Sequence, residues 1–200
     1  MKKIAAVIVF AALMMPATTV AQTETLISGD LEHGGFGGPI VKFSQFAGEL
    51  GLLVGGGGGW VIGKTFSIGG AGYGLATNHV VSTGSEDYEI DFGYGGIVIE
   101  YLKRPDDLIH YYSSCLFGVG GVGFKTPGSY VDVDPTDGDI LYIIEPAVYA
   151  CLNLTKNVRI AAGGAYRYVT GLDQASIDLG LEETGLTGVS FNISFRFGSY

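Results

Sequence analysis

The chain has 200 residues, a formal net charge of −9, 34 glycines and only 6 prolines. The acidity argues against a nucleic-acid binder, because phosphate contacts need clustered Lys and Arg. The glycines follow no G-x-y period, which excludes collagen. Together with 12 tyrosines and 11 phenylalanines they point to one domain of curved β-structure.

The chain opens MKKIAAVIVFAALMMPATTVAQ. Lys2 and Lys3 form a positive start, Ile4 to Met15 an apolar core, and Thr19 and Ala21 a small-residue cleavage site. That is the layout of a secretory signal peptide over residues 1–21, with a retained N-terminal anchor as the alternative. The apolar run is too short for a spanning helix, and no later run is long enough. Removal of Lys2 and Lys3 takes the charge from −9 to −11. Residues 22–37 read as a lead-in and 38–200 as the folded domain.

Eight strands follow. Gly38 to Phe46 is the first. In Leu50 to Ile62, Leu50, Leu52, Val54, Trp60 and Ile62 alternate with Gly51, Gly55, Gly57 and Gly59. Thr65 to Thr77 alternates Phe66 and Ile68 with Ser67 and Gly69. Tyr88 to Leu102 sets Ile90, Phe92, Tyr94 and Val98 against Glu89, Asp91, Gly93 and Gly95. Leu108 to Phe124 is less cleanly two-sided. Ile140 to Leu154 places Glu145, Tyr149 and Asn153 opposite a row of aliphatic residues. Val158 to Val169 puts Arg159 and Arg167 opposite Val158, Ile160, Tyr166 and Tyr168. The last strand alternates Val189, Phe191, Ile193, Phe195 and Phe197 with Ser190, Asn192, Ser194 and Arg196. A period of two makes one face apolar and the other polar.

The connections have a rhythm of their own. Gly63-Lys64, Lys103 to Asp107 and Thr155-Lys156 are short. Asn78 to Asp87, Lys125 to Gly138 and Thr170 to Gly185 are long and polar, while Ala47-Gly48 is tight. Short turns on one side and long loops on the other suit an outer-membrane barrel. The predicted fold class is all-β: an eight-stranded antiparallel up-and-down transmembrane β-barrel after a signal peptide. A soluble lipocalin-like barrel would reverse the two faces.

One stretch suggests something else. GGWVIGKT, Gly58 to Thr65, fits the phosphate-binding G-x-x-x-x-G-K-[ST] pattern. A true phosphate loop opens a helix. The residues after Lys64, TFSIGGAGYGLATN, make a strand instead. No nucleotide is expected, and Gly63-Lys64 reads as a hairpin turn.

By strand parity, Lys42, Asp91, Glu145, Arg159, Arg167 and Arg196 point into the barrel. Opposite charges there would plug the lumen, with a narrow ion path as the alternative. Glu100 falls on the outward face, at an interface or a bulge. Asp132, Asp134, Asp137 and Asp139 crowd one long loop and are weak calcium-ligand candidates, weighed against a solvated acidic loop. Cys115 and Cys151 sit on adjacent strands and either pair or pack as free thiols. His79 starts a long loop with Ser82 and Ser85. A lipid-modifying site there is conceivable, but no triad is fixed. Outward Tyr88, Tyr142, Tyr166 and Tyr168 suit an aromatic girdle.

The ending VSFNISFRFGSY resembles the C-terminal signature of Gram-negative outer-membrane barrels, although Gly198, Ser199 and Tyr200 extend past the last alternating Phe197. GGFGGPIVKFSQFAGELGLLVGGGGGW, KTFSIGGAGYGL and IEPAVYACLNLTKNVRIAAGGAYRYV are similar to small Gly-rich barrels of the OmpA/OmpX-like, eight-stranded kind. The resemblance spans nearly all of the chain after residue 21. It implies a monomer in the outer membrane, surrounded by lipid and lipopolysaccharide and inserted by the barrel-assembly machinery. It brings no catalytic residue and no cofactor. The function expected is structural or surface interaction; the alternative is a small-solute channel or ligand-binding barrel.

Overall fold

The computed structural model describes residues 33–46, 49–77, 79–83, 86–125, 139–172 and 183–200. The signal-peptide and lead-in readings up to residue 32 lie outside them. The described residues form nine strands: β1 (His33–Phe46), β2 (Glu49–Ile62), β3 (Phe66–Leu75), β4 (His79–Thr83), β5 (Glu86–Lys103), β6 (Ile109–Lys125), β7 (Asp139–Asn153), β8 (Val158–Thr170) and β9 (Gly188–Ser199). One short helix, α1 (Glu183–Leu186), precedes β9.

Each strand is antiparallel to its neighbours in the order β3-β2-β1-β9-β8-β7-β6-β5, and β3 pairs with β5 to close the ring. β3 lies along Gly93 to Tyr101 of β5, and β4 continues the same line along Glu86 to Ile90. Eight staves therefore make a closed barrel. Closure leaves no unpaired edge, the condition under which a sheet can sit in lipid.

The short connections, 63–65, 104–108 and 154–157, lie with the start of β1 and the end of β9 at one rim, called here the turn end. The long connections lie at the other, the loop end. Gly63 (φ 57°) and Lys64 (φ 58°) both adopt the left-handed conformation, and the Thr65 N–H donates to the Ile62 carbonyl at 3.3 Å. Two consecutive positive φ values are what a tight hairpin needs, and Gly63 supplies one without strain. The GGWVIGKT stretch is thus strand, turn and strand.

Side chains alternate as the sequence requires. On β7, Ile140, Tyr142, Ile144 and Val148 are exposed, whereas Leu141, Ile143, Glu145, Ala147, Tyr149 and Cys151 are buried. On β9, Val189, Phe191, Phe195 and Phe197 face out, while Ser190, Asn192, Ser194 and Arg196 are buried. The outer wall is apolar around the ring, from Trp60 and Ile68 through Ile97, Ile99, Phe117 and Val119 to Tyr166 and Tyr168. An eight-stranded lumen is just wide enough for its own side chains to fill. Some backbones also approach too closely for a side chain: a Cβ at Gly69 would fall 2.0 Å from the Gly58 carbonyl oxygen.

Three expectations need correction. β5 is turned over: Ile90, Phe92, Tyr94 and Leu102 are buried, Asp91 is exposed, and Glu100 is buried instead of outward. The physical reason is that β5 is apolar on both faces. Its first half sends large rings into the lumen, where they pack with Phe46, Leu53 and Leu141. Its second half shows Ile97, Ile99 and Tyr101 to the outside. The segment Asn78 to Asp87 is not simply a loop, since His79–Thr83 pairs with Glu86 to Ile90 and raises the wall. The first strand begins at His33 rather than Gly38, paired with Ile62 on β2; Gly35 lies opposite Ser199.

Candidate functional site: the lumen

The inward faces of β1, β5, β7, β8 and β9 place charged groups inside a closed wall. An isolated buried charge is costly, so each needs a partner or a hydrogen-bond network. Two clusters, one toward each rim, meet that need.

Toward the loop end, Lys42 is fully buried and forms an ion pair with Glu145 through Nζ and Oε1. The Lys42 ammonium also donates to the Tyr94 hydroxyl at 3.1 Å, and Tyr94 donates to Glu145 Oε2 at 2.5 Å, closing a triangle. The ammonium lies 3.6 Å from the Tyr73 ring centroid. Arg167, also fully buried, has its guanidinium 4.6 Å over Phe46 and 5.2 Å over Phe92. Such cation–π contacts favour a desolvated cation. Arg167 Nε donates to the Leu186 carbonyl at 2.8 Å and Nη2 to Ser44 Oγ at 3.3 Å.

The partner at Leu186 comes from α1, which folds into the mouth. The Leu186 side chain is 1% exposed and packs with Phe46, Phe92 and Leu141. Neighbouring contacts tether the segment. Glu183 Oε1 accepts from the Gly171 N–H at 2.8 Å, the Thr170 hydroxyl at 3.1 Å and the Leu172 N–H at 3.4 Å. These bonds, the Gly171 amide first and then Thr170, hold the Glu183 carboxyl below its ordinary range. Thr187 Oγ1 accepts from the Val169 N–H at 3.0 Å. The loop end is thereby stoppered by the protein's own chain.

Toward the turn end, Arg196 Nη2 pairs with Glu100 Oε2 at 2.6 Å, and the Ser67 hydroxyl donates to the same oxygen at 3.0 Å. The Arg196 guanidinium lies 3.8 Å over Phe36 and 4.6 Å over Tyr112. Tyr112 stacks on Tyr149 at 4.6 Å, and Asn192 donates to the Tyr149 hydroxyl at 2.9 Å. Arg159 lies 3.4 Å over Tyr200. Between the clusters is a cavity of about 50 Å³, touched by Ser67, Tyr73, Glu100, Tyr112, Tyr149 and Arg196. It has room for a few waters at roughly 10–15 Å³ each, well short of the roughly 300 Å³ a small-molecule pocket needs.

Of the residues expected inside, Lys42, Glu145, Arg159, Arg167 and Arg196 are buried on inward faces and Asp91 is not. Asp132, Asp134 and Asp137 lie outside the described residues. Asp139 opens β7 on its inward face. Among the described residues, no group of three or more His, Cys, Asp or Glu side chains could hold a metal ion. His79 and Ser82 sit on β4, whose side chains are not described, and Ser85 and the Tyr88 side chain fall outside the description. Cys115 lies opposite Pro146 and Cys151 opposite His110, five positions apart on opposite faces. At about 3.3 Å per residue that separation excludes a disulfide, and both are free thiols.

Sequence reasoning missed Glu100, Tyr94 and Leu186. The exposed run Ile97, Ile99 and Tyr101 was the signal that puts Glu100 inside. Nothing in the polar segment before β9 marked Leu186 as a stopper.

No family model matches the chain, and no curated protein matches it. Solved structures to which it is similar include the following two. It is similar to Neisserial surface protein A (NspA), at 12% identity and a TM-score of 0.48, over 86% of this chain and 99% of that one. It is also similar to Ail, the attachment invasion locus protein of Yersinia pestis, at 12% identity and a TM-score of 0.43, over 83% of this chain and 97% of that one.

Proposed function

We propose that the chain is a non-catalytic, monomeric barrel of the Gram-negative outer membrane, with a structural or surface-interaction role carried by its loop end. The single observation behind this reading is the pairing of an apolar outer wall with a charged, filled lumen. A soluble barrel has those two faces reversed. The exposed Tyr142, Tyr166 and Tyr168 near one rim, and Tyr101, Tyr111 and Trp60 near the other, suit two headgroup-level girdles. β5 and β6, with 18 and 17 residues, exceed the roughly 9–11 that cross a bilayer. The wall therefore stands above the membrane at the loop end. Lipid and lipopolysaccharide would surround it, and the barrel-assembly machinery would insert it.

The alternative, a small-solute channel, is opposed by the stopper at Leu186 and the ion pairs beneath it. Two measurements test the proposal. The protein should fractionate with the outer membrane and shift mobility between boiled and unboiled gels. In planar bilayers it should give no steady conductance. Recovery in the soluble periplasm would overturn the membrane reading; open-channel steps would overturn the plug.

A further inference from the structure

On the outer wall, two cavities share a boundary. The first is an apolar groove of about 600 Å³ that crosses β5 to β8. Its floor is small: Ala150 lies opposite Ala162, and Val148 opposite Gly164. Its side is the pair Tyr101 and Tyr111, both well exposed. The second is a pocket of about 240 Å³ at the turn end, lined by Lys103, Arg104, Asp107 and Tyr111 among others. Lys103 and Tyr111 belong to both, so the apolar groove runs into the cationic pocket.

The charge at that junction is positive. Lys103 and Arg104 are exposed, and the nearby Asp106 is engaged by Lys64 at 3.5 Å. Asp107 is the carboxylate that remains in the pocket. Its own N–H donates to the Arg104 carbonyl at 3.1 Å, and Arg104 holds a left-handed φ of 53°. This tight turn sets Lys103 and Arg104 side by side in the chain at the level where the strands leave the apolar band.

An apolar channel that ends in paired cations matches an amphiphile with an anionic head. We propose that this is a binding site for one glycerophospholipid with a net anionic head, in the periplasmic leaflet. Its phosphate sits at Lys103 and Arg104, and an acyl chain lies on the Ala150, Ala162 and Gly164 floor. The proposal rests on the outer-membrane reading above, which sets the turn end in that leaflet. Lipopolysaccharide, confined to the opposite leaflet, would not reach it. The adjoining cations separate the site from the other small-residue stretches of the outer wall, such as the exposed Gly70, Gly72 and Gly74 of β3.

The test uses the full chain reconstituted in phosphatidylcholine vesicles. Spin-labelled phosphatidylglycerol and spin-labelled phosphatidylcholine report relative association by electron paramagnetic resonance. The expected result is a preference for phosphatidylglycerol that falls roughly fivefold for each cation removed in Lys103→Gln and Arg104→Gln. Ala162→Phe, which fills the groove and leaves every charge in place, should abolish most of the same preference. Gly164→Leu is a second filling variant, since a Cβ there meets its nearest atom only at 3.8 Å. Folding of each variant is checked by the boiled-against-unboiled shift. If filling the floor leaves the preference intact, the cations attract lipid without a site and the proposal fails. Equal association of both lipids with the unaltered protein overturns it too. A chain that does not insert into vesicles at all refutes the outer-membrane reading, and the site falls with it.

Discussion

Both halves of the lumen set their cations among aromatic rings, but the turn-end half holds more polar side chains around them. Near the loop end, Phe46, Phe92, Tyr73 and Tyr94 surround Lys42 and Arg167, and the charges are met by Glu145 and by the α1 backbone. Buried polar atoms without a protein partner among the described residues include Arg167 Nη1 and Ser190 Oγ toward the loop end, and atoms of His110, Arg159, Ser194 and Arg196 toward the turn end. Buried polar atoms usually find protein or water partners. The difference teaches that the two halves tolerate change unequally. A charge left alone at the loop end keeps few polar neighbours, such as the Tyr94 hydroxyl beside Lys42; one left alone at the turn end has hydroxyls and an imidazole nearby.

The largest effect should come from Glu145→Ala. It leaves Lys42 buried among aromatic rings with the Tyr94 hydroxyl as its remaining partner, at a cost of about 3–5 kcal/mol. Urea unfolding in detergent, followed by tryptophan fluorescence or gel mobility, measures it. Replacing Lys42 and Glu145 together by Met should recover most of that loss. A double variant as unstable as the single one would show that the pair does more than neutralise itself.

Leu186→Ala comes next. It should cost about 2–3 kcal/mol of local packing and loosen the mouth. Bilayer recordings should then show brief conducting events that the unaltered protein lacks. Glu100→Gln at the other end should cost less, about 1–3 kcal/mol, because Ser67 and Arg196 can still bond to the amide oxygen. If Glu100→Gln proved more damaging than Glu145→Ala, the contrast between the two halves would collapse.

The smallest effect is a pH dependence at the stopper. Glu183 has a folded-state value held below its unfolded value of about 4.3. The sign follows from linkage. Its contribution is fully present above the unfolded value and is lost as pH falls through the lower, folded one. The protection of the Gly171 and Leu172 amides, measured against their intrinsic rates, should therefore hold at neutral pH and fall in acid. Glu183→Gln should remove that pH dependence.

Much of the barrel was legible because β7, β8 and β9 alternate cleanly. Glu145, Arg159, Arg167 and Arg196 stand opposite rows of aliphatic and aromatic residues, so parity alone puts them inside. β5 defeats the same reasoning. Ile90, Phe92 and Tyr94 are as apolar as Ile97, Ile99 and Tyr101, yet the first three fill the lumen and the last three face out. Where both faces are apolar, a period of two carries no sign, and Asp91 and Glu100 were exchanged as a result. The stopper was hidden for another reason. One turn of helix in a polar connection has no periodicity to read, and Leu186 is buried only because the ring beneath it is closed.

Lys42 and Glu145 are 103 residues apart in the chain, and Glu100 and Arg196 are 96 apart. Neither pair can form within a hairpin, so each bond waits for strands that are made far apart in time. Lys42 sits opposite Asn192 across the β1–β9 seam. A slip of two residues there keeps every side chain on its proper face, yet carries Lys42 about 7 Å along the wall and away from its carboxylate. A one-residue slip turns the charges out altogether. Only the correctly closed ring therefore neutralises the buried ions, and a ring sealed out of register leaves them apart at the cost of an unpaired buried charge.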